Sequence, residues 1–147
     1  MNSAQFGLVG ALAELLQAEP ALADGRVYRS RARAIGVDMP RAVVVRIERS
    51  TSTLADVIGG PTTWASLIHI ECYARASGAA PDAEADALVV SVFDRLATSP
   101  TLGGAAMSVE PLAGDTLGWD VDELDSKLAC ITAKFVVMHQ TTGRTLT

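Results

Sequence analysis

Between Lys127 and Gln140 the chain alternates without a break. Ala129, Ile131, Ala133, Phe135 and Val137 fall on one side of an extended segment, with no polar residue among them. Successive side chains of a strand point to opposite faces, so one face of this segment has to be buried along its length. The other face carries Leu128, Cys130, Thr132, Lys134, Val136 and Met138. Leu128, Val136 and Met138 make it too apolar for water unless something covers it.

A strand buried on one side needs partners, and the sequence supplies them. Arg41–Arg49 holds three consecutive valines and an isoleucine, residues that favour the pleated state. Val43, Val45 and Ile47 share one face there; Arg46 and Glu48 share the other. Trp64 to Arg75 alternates too, with Trp64, Ile68, Ile70 and Cys72 against Leu67, His69, Glu71 and Tyr73. Val27 to Ala34 reads as a ragged strand. Met107 to Leu112 and Leu117 to Asp120 read as two pieces of one strand interrupted at Gly114.

Two helices are expected. Ser3 is placed to cap a helix over about Ala4 to Ala18, whose Leu8, Val9, Leu12, Leu15 and Leu16 fall within an arc of about 120°. Pro81-Asp82 opens a second, running to about Thr98, with Leu88, Val89, Val92, Phe93 and Leu96 on one face. Its acids Asp82, Glu84 and Asp86 come first and Arg95 last, as the helix dipole prefers. Helix, strands, helix, strands predicts a single α+β domain over residues 1–147: a mostly antiparallel, mixed sheet packed against two helices. Ser50 to Thr63 reads as a long connection rich in Ser, Thr and Gly, mobile in an isolated chain. Thr141–Thr147 reads as a loose polar tail.

Composition narrows the function. Seventeen acids against twelve bases give a net charge of -5, which argues against nucleic acid as a direct partner. No run of about 18 uncharged apolar residues exists to span a membrane, and no basic, apolar leader opens the chain. Two cysteines, Cys72 and Cys130, supply neither a disulfide framework nor a zinc site, so a reducing cytoplasm is the expected place of synthesis.

Catalytic patterns are scarce. The chain has no phosphate-binding GxxxxGK[ST] run and no GxSxG elbow. His69 and Cys72, three apart on a strand, project to opposite faces and cannot share a metal. His69 beside Glu71 forms an acid–base pair in principle, but reads better as a surface polar pair without a nucleophile to activate. His139 has no evident partner. Asp115, Asp120, Asp122, Glu123 and Asp125 lack the glycine and distal glutamate of a calcium loop and read as a solvated acidic turn. No cofactor and no metal are expected.

Charge is unevenly spread. Residues 1–60 hold seven Arg and six acids; residues 61–147 hold five bases and eleven acids. Arg26, Arg29, Arg31, Arg33 and Arg41 fall within sixteen positions. Such asymmetry suits self-association or docking onto a larger assembly.

The run RAVVVRIERSTST, the long loop, Trp64 leading into LIHIECYA, then PDAEADALVVSVFDRL and LGWDVDELDSKLACITAKFVVM appear in an order that resembles the tail terminator proteins of long-tailed phages, the lambda-like minor tail protein U family. The similarity covers Pro40 to Met138, roughly two-thirds of the chain. It implies a sheet flanked by helices and a hexameric ring that caps the finished tail tube, ends its polymerisation and presents a surface for head attachment. The partners implied are further copies of the chain, the major tail tube protein and the head–tail connector protein. The implied location is the virion tail, after synthesis in the cytoplasm of a bacterial host. A head–tail joining or minor capsid protein of the same phage module is the alternative within that class. A small enzyme using Glu71 and His69, or a ligand-binding domain, is the alternative outside it.

A ring needs two different patches that meet around an axis. Arg29, Arg31 and Arg33 of one subunit are therefore expected to face Asp120, Asp122 and Asp125 of the next, with Val136 and Met138 supplying apolar contact.

Overall fold

The structure, a computed structural model, describes residues 2–29, 39–53, 57–75, 80–121 and 128–147. Helix α1 spans Ala4–Gln17, and the Ser3 hydroxyl accepts a hydrogen bond from the Phe6 amide at 3.2 Å, closing its first turn. Leu8, Val9, Leu12, Ala13 and Leu16 form its buried stripe. Helix α2 spans Pro81–Ala97 and buries Ala85, Leu88, Val89, Val92 and Leu96. Proline in its first turn donates no amide where no intrahelical acceptor exists, which suits that position.

The strands are β1 (Val27–Arg29), β2 (Arg41–Ser52), β3 (Thr62–Arg75), β4 (Ser108–Pro111), β5 (Leu117–Val121) and β6 (Leu128–Thr141). They build one sheet in the order β1-β2-β3-β6, with β4 and β5 both hydrogen-bonded to the outer edge of β6. Only β1 and β2 run parallel; every other pair is antiparallel. Fold class and element order are those read from the sequence. β4 and β5 are two halves of one edge strand, interrupted by a turn at Gly114 whose φ of 84° suits glycine.

Both helices cover the same face. Val43 and Val45 of β2, Ile68, Ile70 and Cys72 of β3, and Ala129, Ile131, Ala133, Phe135 and Val137 of β6 pack with the apolar stripes of α1 and α2 into one core. The Phe93 and Phe135 rings meet at 5.0 Å with a 50° tilt, joining α2 to β6. The guanidinium of Arg95 on α2 donates to the carbonyls of Leu15 (2.7 Å), Ala18 (2.8 Å) and Pro20 (2.5 Å). It thereby satisfies orphan carbonyls where α1 ends and the chain turns away.

Several readings change. The connection between β2 and β3 is shorter than Ser50 to Thr63, because β2 continues to Ser52 and the Thr53 amide still bonds the Thr63 carbonyl at 2.9 Å. Ser50 near the end of β2 pairs with the buried Ser66 and accepts from Gln5 of α1, so a polar residue here is satisfied without an apolar face. Thr141–Thr147 is not loose. Thr141 ends β6, the Leu146 carbonyl accepts from the Ala4 amide at 2.7 Å, and the Gly143 carbonyl accepts from the Thr62 hydroxyl at 2.5 Å. β1 closes at Arg29; the remainder of the expected Val27 to Ala34 strand lies outside the described residues.

Candidate functional site

The sheet face opposite the helices is the candidate surface, since no described helix lies on it. One end is apolar: Ala42 and Val44 are buried under Tyr28, Met39 and Tyr73. At the other end Val136 and Met138 of β6 stand half-buried beside Leu67 and Ala65 of β3. Between them lies a polar band across β2, β3 and β6. Arg46 Nε approaches Glu71 Oε1 at 3.2 Å, and the Tyr73 hydroxyl donates to Glu71 Oε2 at 3.2 Å. The other end of the Arg46 guanidinium lies 2.8 Å from His69 Nδ1. His69 Nε2 lies 2.5 Å from Glu48 Oε2. A one-residue slip in β2 between Ile47 and Arg49 makes Glu48 the extra residue of a bulge. Lys134, opposite His69 in register, pairs with Asp115 at 2.7 Å.

Arginine has only protons to give, so Nδ1 of His69 is the acceptor and the imidazole proton belongs on Nε2, facing Glu48. Burial and then the Arg46 charge hold the His69 pKa below the ordinary histidine range. Arg46 thus occupies Nδ1, while Nε2 lies close to Glu48 without a well-directed hydrogen bond among the described residues. His69 is only 7% exposed, not the surface residue expected, and it reaches Glu71 through Arg46. Burial also raises the Tyr73 phenol and pushes the Cys130 thiol up to about 11, so both stay protonated at neutral pH. The band pairs Arg46 with Glu71 and Lys134 with Asp115, and has apolar flanks.

A second polar group escaped the sequence. On the helix side, Ser66 Oγ lies 2.7 Å from His139 Nε2 and 2.7 Å from Ser50 Oγ, which accepts from Gln5 Nε2 at 3.3 Å. His139 has a partner after all. The odd-numbered positions of β6 already placed it on the inward face, but the 73-residue separation from Ser66 hid the pair. A serine beside a histidine is the start of a hydrolytic dyad. Here Ser66 is 0% and His139 2% exposed, and His139 Nδ1 has no partner among the described residues to orient it.

Of the expected interface residues, Arg29 and Asp120 fall on opposite edges of the sheet. Arg29 closes β1, with its guanidinium 4.4 Å from the Phe6 ring centre. Asp120 is on β5, paired with Cys130. Within one chain the two do not meet. Arg31, Arg33, Asp122 and Asp125 lie outside the described residues. Cys72 faces the core and Cys130 the open face, both as free thiols, as their strand parity predicts. Among the described residues no group of His, Cys, Asp or Glu is arranged to hold a metal ion, and no helix is long and apolar enough to cross a membrane.

No family model matches the chain, and no curated protein matches its sequence. A solved structure does share its fold: one chain of "Virion of native gene transfer agent (GTA) particle", at TM-score 0.56 and 18% identity, over 93% of this chain and 98% of that one.

Proposed function

We propose that the protein is a structural component of a phage-like particle, and more narrowly a tail terminator: a ring that caps the tail tube, stops its growth and offers the surface for head attachment. The observation that carries this reading is the fold shared with a chain of a gene transfer agent virion across nearly the full length of both. The sequence resemblance to tail terminators, from Pro40 to Met138, supports the narrower role. So does the division of surfaces: an uncovered sheet face bearing Val136 and Met138, and two sheet edges of different charge. On this reading the chain needs no cofactor and performs no catalysis, its partners are its own copies, the tube protein and the head connector, and it resides in the virion.

In the ring, Arg29, Arg31 and Arg33 of one subunit face Asp120, Asp122 and Asp125 of the next. Exposed pairs contribute about 0–1 kcal/mol each, so they set geometry and encounter rate while apolar contact supplies affinity. The experiment is to delete the gene from the particle that encodes it and measure tail length by electron microscopy. Over-long, headless tubes, restored to normal by adding the purified chain, are the expected result. Tails of normal length joined to heads would exclude the role; normal tails beside detached filled heads would favour a head–tail joining protein.

A further inference from the structure

Trp119 is 63% exposed, although its register partner Ile131 is buried in the core. Opposed residues of an antiparallel pair share a face, so Trp119 stands on the helix side of the sheet, at an edge the helices do not reach. An exposed indole on a strand edge is the residue type that most often anchors an interface. The opposite edge of the same sheet has a groove on the same helix side. It is lined by Phe6 and Val9 of α1, Ile47 of β2 and Arg29 of β1. Ile47 and Arg29 pair with Ile68 and Val45, both core residues, which fixes the side on which the groove opens.

We propose that Trp119 of one copy of this chain seats in the Phe6–Val9–Ile47 groove of a second copy, stacking on the Arg29 guanidinium. This rests on the ring reading above and names the apolar anchor of the contact. Arg29 is exposed, lies over Phe6 at 4.4 Å beside Gly10 with Nη2 3.5 Å from the Phe6 carbonyl, and has no acid against it among the described residues, so its charge is left for a second aromatic ring at the groove. Charge favours the same pairing of edges, though it does not line the contact itself. Among the described residues the groove edge carries Arg26, Arg29 and Arg41 against Asp24; the Trp119 edge carries Glu110, Asp115 and Asp120 against Lys134, with Glu110 and Asp120 on its open-face side. The two patches are different and sit on opposite edges of one sheet, which is the arrangement a head-to-tail contact requires.

The test uses the full chain with Cys130→Ser to remove the half-buried thiol. Gly118→Cys, beside Trp119, and Gln5→Cys, at the groove rim, are made separately with Trp119 and Phe6 intact, each with a different tag, and oxidised alone and as a mixture at high protein concentration. A disulfide that forms only in the mixture is the expected result. Sedimentation of the otherwise unaltered chain should show concentration-dependent association, weakened about tenfold or more by Trp119→Ala or Arg29→Glu. Cross-linking of Gly118→Cys with itself would mean a like-to-like contact and overturn the proposal. So would no mixed disulfide, or association unchanged by both substitutions. Tail length in the gene deletion is independent of these readouts, so the interface can fail while the terminator role stands, and the reverse.

Discussion

Ser66 Oγ lies 2.7 Å from His139 Nε2 on the buried side of β3 and β6, where the helices exclude water from both. A consistent direction of donation runs from Gln5 through Ser50 and Ser66 to the imidazole. This is a neutral chain built into an apolar core, and it is sensitive to protons.

Burial holds the His139 pKa below its ordinary value of about 6.5, and that of His69 likewise. An unfolded chain therefore binds protons that the folded one refuses as pH falls through 6.5. Stability should fall with acid over that window, until the depressed folded pKa values are reached. Melting temperatures measured from pH 7.5 to 5 should drop, and His139→Gln should flatten the slope relative to the unaltered chain. Ser66→Ala, which leaves the imidazole unpaired in the core, should cost about 1–3 kcal/mol at neutral pH.

Arg95→Ala should destabilise the fold by about 1–2 kcal/mol, with Arg95→Lys recovering only part. Three carbonyls from the end of α1 and the turn after it share one guanidinium, and an ammonium cannot match that fork. Urea unfolding gives the midpoint; an unchanged midpoint in the alanine variant would show that water caps α1 equally well.

Phe135→Ala should cost about 3–5 kcal/mol, because it removes a buried ring that packs on Phe93 and joins α2 to the centre of the sheet. The same unfolding experiment reads it. A loss below about 1 kcal/mol would mean that the core collapses around the gap.

Substitutions on the uncovered face should divide differently. Met138→Glu is expected to leave the melting temperature within a few degrees and, on the proposed role, to block assembly, since Met138 is half-buried and no described helix covers it. Ile58→Asp, at the tip of the β2–β3 hairpin where the side chain is 98% exposed, should likewise spare stability. A large fall in melting temperature in either variant would show that the surface belongs to the monomer's own packing.

What was legible beforehand follows the reach of each signal. Parity along β6 and β3 sorted core from open face because the signal is carried by neighbouring residues. Gly114 marked the interruption between β4 and β5, since a positive φ leaves a local trace in residue choice. Pairings between distant segments leave none. Glu48 reaches His69 only because of a bulge, and Ser66 meets His139 only because β3 and β6 are neighbours. The 141–147 segment looked loose because backbone carbonyls tie it down, and these are the same in every residue.

The outer borders of the sheet have a consequence of their own. Three long strands of 12 to 14 residues make up most of the sheet, and its border beside β6 is broken between β4 and β5, with Pro111 closing β4. Long, flat borders invite strand after strand to add without limit, the route to amyloid-like fibrils. The border formed by β4 and β5 offers a newcomer only ladders of four and five residues. Growth by ladder extension is thereby hindered along that border.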